Sequence, residues 1–258
     1  MNITGGGIGC LPSNWGEAAA ISSSSSSSSV DRVSAHRGPD NASPIPANYV
    51  CKPGASKPAS STHPNVMILG DSVSIGYTPP TATALASKAF VQHSPWDTRG
   101  GGSGTTSYGL ACLPNLVRTS MGEPVHWDVI AFNYGLHDLD PAIASQEQYE
   151  AELKEIATKL DQYTTRRLYA LTTPYMPDKT QGIPIVQDLN TRAIAVMKDL
   201  GIPVVDLYSA VTDVCGDVYT NCTICRKTPC SYHYTPEGYE DIAKVLAPAI
   251  EALLPAMK

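Results

Sequence analysis

The sequence predicts an α/β fold, a three-layer α/β/α sandwich built on a five-stranded parallel sheet. Three observations carry this. Short apolar runs recur at 66–69, 89–92, 129–133, 168–172 and 204–207, each the length of a strand buried on both faces. The segments between several of these runs place apolar residues at helical spacing. Strands that alternate with helices pair in parallel, and the helices then cover both faces of the sheet. Functional sites in such sheets gather outside the carboxyl ends of the strands.

The elements follow in order. Residues 1–60 fall outside the pattern. They hold an unbroken serine run at 22–29 and are otherwise rich in Pro, Gly, Ala and Ser. Such composition cannot bury enough apolar area to offset ordering entropy, so it reads as a disordered leader ahead of a folded domain at 65–258. The first strand holds Val66, Met67, Ile68 and Leu69 and stops at Gly70-Asp71-Ser72. After the second strand come His93, Trp96 and Asp97, which read as an ordered surface loop, and then a glycine-rich stretch at 100–109. The third strand closes on Asn133 and runs into Tyr134-Gly135-Leu136-His137-Asp138. Tyr149, Leu153, Ile156 and Leu160 share one helix face, as do Val186, Leu189, Ala193, Val196 and Leu200, with Gly201 placed to stop the second of these helices. Tyr239, Ile242, Leu246, Ala249 and Leu253 form a last apolar stripe, with Thr235 as N-cap and Pro236 at the first helical position.

The bulk numbers narrow the function classes. The chain has 258 residues, 42% hydrophobic and 16% charged, with a net charge of −6, which suits one globular core. No basic stripe points to nucleic acid. No apolar stretch reaches the roughly 18 residues that cross a bilayer. Residues 1–9 carry no Lys or Arg, and the apolar stretch at 18–21 is too short for a secretory signal. The cysteines nevertheless suggest an oxidising, extracytoplasmic compartment, which implies a start upstream of this one. Cys215, Cys222, Cys225 and Cys230 lie close together, Cys51 and Cys112 make a third pair, and Cys10 is left odd. Sequons at Asn2, Asn41 and Asn221 agree with export.

The chemistry lies in three places. Ser72 follows a strand end, a polar cluster around Asn133 and His137 follows another, and His233 stands two residues before a helix N-cap. These are the parts of a hydrolase site: nucleophile, oxyanion donors and general base. Ser72 would open a helix, so its N–H and the positive helix end lie near a reacting carbonyl. The dipole end near His233 disfavours imidazolium and keeps the ring able to accept a proton.

From residue 65 onward the chain resembles the SGNH hydrolases, the GDSL esterase/lipase family with a flavodoxin-like sheet. Ile68-Leu69-Gly70-Asp71-Ser72 is similar to the block that carries the nucleophile. Ser103-Gly104-Thr105-Thr106 is similar to the block whose glycine N–H enters the oxyanion hole, which favours Gly104 over Gly101 or Gly102. Gly135-Leu136-His137-Asp138 stands where the family has Gly-x-Asn-Asp, and His233-Tyr234-Thr235-Pro236 resembles the block of the base. The resemblance implies hydrolysis of acyl esters, with a small-molecule or carbohydrate ester as partner and no metal or other cofactor.

Two departures stand out. His137 replaces the family's Asn, so the side-chain oxyanion donor is His137 or, four residues earlier, Asn133. Cys230 occupies the place of the acid that orients the base, leaving Asp217 or Asp213 as candidate third members, or a Ser-His dyad. These losses keep a rival open, a catalytically impaired protein that binds a glycan in the cleft. A further rival joins Cys222, Cys225, Cys230 and His233 around zinc. With Cys215 the local thiols number four, enough for two disulfides, which would leave His233 free to act.

Overall fold

The computed structural model describes residues 50–97, 101–174, 182–216 and 222–256. Cys10, the asparagines of the three sequons, Asp217 and most of the leader lie outside the described residues. Residues from Cys51 onward form one compact unit.

Five strands alternate with helices: β1 (Asn65–Leu69), α1 (Ser72–Ala84), β2 (Phe90–Ser94), α2 (Thr106–Leu116), β3 (Val129–Phe132), α3 (Gln146–Lys159), β4 (Arg167–Ala170), α4 (Gly182–Asp199), β5 (Val204–Val205), α5 (Leu207–Cys215) and α6 (Pro236–Glu251). The sheet is wholly parallel in the order β2-β1-β3-β4-β5. Two groups of helices cover it. α1, α5 and α6 pack together, as do α2, α3 and α4. Every residue of β1 and β3 is buried, as their unbroken apolar runs require.

The order of the strands fixes where a site can form. From β1 the chain moves outward to β2, then crosses back to β3 on the far side of β1. The connections diverge at the carboxyl ends of β1 and β3, which is the topological switch point where such sheets open a crevice. Leu69 pairs with Phe132 in register, so the segments beginning at Gly70 and Asn133 leave the sheet side by side.

Local causes explain three features, two of which depart from the sequence reading. The fifth strand is two residues rather than four, because the Asp206 side chain accepts from the Ser209 N–H (2.8 Å) and starts α5 at Leu207. α1 continues through Pro79 and Pro80, with the hydroxyls of Thr78 and Thr81 donating to the carbonyls of Ser74 and Tyr77. Residues just after Cys51, grouped by composition with the leader, lie against the domain. Cys51 is bonded to Cys112 of α2, and buried Ala55 donates its N–H to the Arg118 carbonyl at 2.8 Å.

Candidate active site

Ser72 is the first residue of α1. Asp71 is its N-cap, and one carboxylate oxygen accepts from the N–H groups of Val73 (2.9 Å) and Ser74 (3.3 Å). No acceptor among the described residues takes the Ser72 N–H, so it stays available at the positive end of the helix.

The glycine loop closes directly over this turn. Asp71 and Gly102 form an antiparallel bridge, and Ser103 donates its N–H to the Gly70 carbonyl at 2.8 Å. A Cβ on Gly102 would lie 2.3 Å from that same oxygen, and its φ is +78°. Gly102 is thus the glycine that this backbone-to-backbone approach requires. Gly104 has φ +65° but only ordinary contacts with Tyr108, and its N–H has no acceptor among the described residues. From outside the loop, Lys52 Nζ donates to the Gly102 carbonyl at 2.8 Å. Lys52 was not visible in the sequence as a site residue, because only the disulfide at Cys51 brings it here.

His233 arrives from the other end of the chain. Thr235 caps α6 by accepting from the Gly238 N–H, and Thr235 in turn donates its N–H to the Ile224 carbonyl at 2.8 Å. The tight turn carrying His233 is closed by an Arg226 N–H donated to the His233 carbonyl (3.0 Å) and by the Cys225–Cys230 disulfide. α6 reaches α1 through Tyr239, whose ring lies where a side chain on Gly76 would stand. As a result His233 Nε2 sits 2.9 Å from Ser72 Oγ.

The surroundings keep His233 neutral. Burial depresses its pKa most, followed by the positive charges of Arg226 and Lys227 and by His137. Among the described residues no carboxylate bonds its other nitrogen, and the Tyr232 ring stands edge-on to it at 4.6 Å. Cys230 is held in a disulfide, Asp213 is exposed on α5 without a bond to His233, and Asp217 lies outside the described residues. Among the described residues the contact thus joins Ser72 and His233 alone.

The two predicted side-chain oxyanion donors sit in different surroundings. Asn133 directs its amide nitrogen to the Ala170 carbonyl (2.7 Å) and Thr172 Oγ1 (3.2 Å), so both amide hydrogens serve the sheet rim. His137 is buried with its ring packed against Gly101. Burial holds the pKa of this ring down while the charge of Asp71 opposes the shift.

The remaining candidates sort by packing. Cys215 bonds Cys222, Cys225 bonds Cys230 and Cys51 bonds Cys112. The sulfurs of Cys215, Cys222 and Cys225 lie within 4.8 Å of one another, but as disulfides they offer no thiolate to zinc. Three disulfides fit an extracytoplasmic protein. His93 lies behind the nucleophile turn, with Nε2 2.7 Å from Ser74 Oγ. Tyr77, Tyr134 and Tyr234 are buried, which leaves Tyr232 as the partly open ring beside the base. No helix among the described residues is long and apolar enough to cross a membrane.

No protein-family model matches the sequence, and neither does any curated protein. Solved structures do match. A carbohydrate acetylesterase family member from Sinorhizobium meliloti superposes with a TM-score of 0.56 at 17% identity, covering 74% of this chain and 99% of that one. A GDSL-like lipase from Bacteroides thetaiotaomicron gives 0.53 at 16% identity, with coverage of 74% and 89%. A variant of an acetyl xylan esterase from Geobacillus stearothermophilus gives 0.56 at 12% identity, with coverage of 74% and 95%. The chain thus has the fold of these esterases and GDSL hydrolases.

Proposed function

We propose that the protein is a secreted serine esterase acting on acyl esters, acetyl or carbohydrate esters among them. The observation that carries this reading is the 2.9 Å contact between Ser72 Oγ and His233 Nε2, made across the chain at the switch point of the sheet. The fold shared with esterases supports the same class.

Ser72 Oγ attacks the ester carbonyl while His233 Nε2 takes its proton. The developing oxyanion rests on the N–H groups of Ser72 and Gly104, both without competing acceptors among the described residues. The Asn133 amide, spent on the sheet rim, adds no donor to this hole. His137 packs against the glycine loop, and burial, opposed by the Asp71 charge, holds its ring neutral. The imidazolium of His233 then protonates the leaving alcohol. Water, activated by the same ring, releases the acid from the acyl-enzyme. With no carboxylate behind it among the described residues, the ring relies on its loop for orientation, and the disulfide at Cys225–Cys230 supplies that rigidity.

The test is Ser72→Ala assayed on a small chromogenic acetate. Loss of hydrolysis to the uncatalysed level is expected, and unchanged hydrolysis by the purified variant overturns the assignment. The lack of an acid bonded to His233 among the described residues favours a second reading, a cleft that binds a glycan without cleaving it. Glycan binding by a folded wild-type protein that hydrolyses no ester would establish that reading instead.

A further inference from the structure

Behind the glycine loop lies a group of buried acids that the reaction does not use. Thr106, the first residue of α2, donates its N–H to Asp138 Oδ1 at 2.9 Å. Its hydroxyl oxygen stands 2.8 Å from Asp138 Oδ1 and also 2.8 Å from Glu152 Oε2. A threonine hydroxyl carries one proton and cannot donate to both. Glu152 also receives Ser107 Oγ (2.7 Å) and Gln148 Nε2 (2.9 Å). Asp138 has no such supply, and its Oδ2 is buried without any partner. An ionised carboxylate with an orphan oxygen is costly in such a place, whereas a neutral acid leaves only a carbonyl oxygen unpaired.

We propose that Asp138 is protonated in the working protein and, as a neutral acid donating to Thr106 Oγ1, is a positioning residue for the oxyanion loop. The geometry links the two halves of the site. Asp138 directly follows His137, and Thr106 lies two residues after Gly104. A proton on Oδ1 closes the chain Asp138 to Thr106 to Glu152 and so locks the His137 turn to the Gly104 turn. Loss of that proton leaves one hydroxyl hydrogen between two carboxylate oxygens, each 2.8 Å away, so one of them meets only the hydroxyl oxygen and the start of α2 is pushed away.

The groups facing Asp138 agree. Its pKa is raised to about 7: burial contributes most, the Thr106 bonds oppose it, and the charges of Glu152 on α3 and Asp71 at the start of α1 add to it. The phenols of Tyr134, Tyr149 and Tyr169 complete the surroundings, and their own pKa values are raised in part by Asp138.

The role in catalysis rests on the esterase reading, but the proton can be read without it. The Asp138 carboxyl carbon, assigned by its loss in Asp138→Asn, is followed by NMR as pH rises. A midpoint near neutrality is expected, and one in the ordinary aspartate range of about 3.9 overturns the proposal. On a chromogenic acetate, wild-type kcat should fall about tenfold between about pH 6 and 9, with KM changing less. Asp138→Asn has no proton to release, so it should lose the alkaline decline whatever rate it keeps at about pH 6. Asp138→Ala should be impaired throughout. An Asn variant with the wild-type alkaline decline would show that Asp138 does not position the loop. Absence of any Ser72-dependent hydrolysis would sink the esterase reading, while the NMR midpoint would still decide the proton.

Discussion

Gly76 is the residue on which the meeting of Ser72 and His233 depends most sharply. A Cβ placed there would lie 2.1 Å from Tyr239 Cζ and 2.2 Å from Cε1, inside the ring itself. To reach ordinary contact the ring must retreat by about 1.4 Å. Tyr239 cannot swing freely, since it stands edge-on to buried Tyr234 at 5.7 Å between centroids. The displacement therefore passes to the first turn of α6 and to His233, a few residues ahead of it. Gly76→Ala should cost about 1–3 kcal/mol of stability from overpacking. It should lower kcat by about 10²-fold, the typical result of misplacing a reacting group by about 1 Å. The assay is ester hydrolysis by protein whose fold has been checked by circular dichroism, beside the double variant Gly76→Ala/Tyr239→Ala. Truncating the ring makes room and should restore part of the lost activity. A folded Gly76→Ala variant with wild-type kcat would refute the idea that α1–α6 packing sets the dyad distance.

Other outcomes follow from the same geometry. Gly102→Ala forces a side chain to within 2.3 Å of the Gly70 carbonyl, so activity should fall by about 10²–10³-fold, whereas Gly104→Ala, where a Cβ meets Tyr108 only at ordinary contact distance and the cost is that of the positive φ, should lose less. Because burial and nearby cations lower the pKa of His233, the acid limb of kcat/KM should lie below 6.5. Removing positive charge favours the imidazolium, so Arg226→Gln/Lys227→Gln should move that limb to higher pH, visible in a pH profile at low salt. Asp138 makes a contribution to stability whose sign is fixed. The native state keeps a proton, up to about pH 7, that the unfolded chain releases near 3.8, so thermal stability should decline as pH rises through that window and level off above it. Asp138→Asn should flatten this decline in melting experiments.

Much of the fold was legible because β1 and β3 are apolar at nearly every position, which a doubly covered sheet demands and little else permits. The motifs at Ser72 and His233 could be placed at strand and helix ends for the same reason. The edges of the sheet were less legible. β5 is short and half-exposed at Val204, so a capping aspartate at 206 ends it earlier than its apolar run suggests. The oxyanion side of the site was readable in residue type but not in direction. Asn133 and His137 have the right chemistry, yet segments distant in sequence decide their surroundings: Ala170 and Thr172 take the amide hydrogens of Asn133, and the ring of His137 packs against Gly101. Lys52 and the group formed by Thr106, Asp138 and Glu152 depend wholly on such long-range contacts.

The central claim is that Ser72 is a nucleophile activated by His233. Intact-mass analysis after treatment with a fluorophosphonate tests it most directly. The account predicts one adduct, mapped to the peptide containing Ser72, absent in Ser72→Ala and formed far more slowly in His233→Ala. A folded wild-type protein that takes up no label, or takes it up elsewhere, would contradict it.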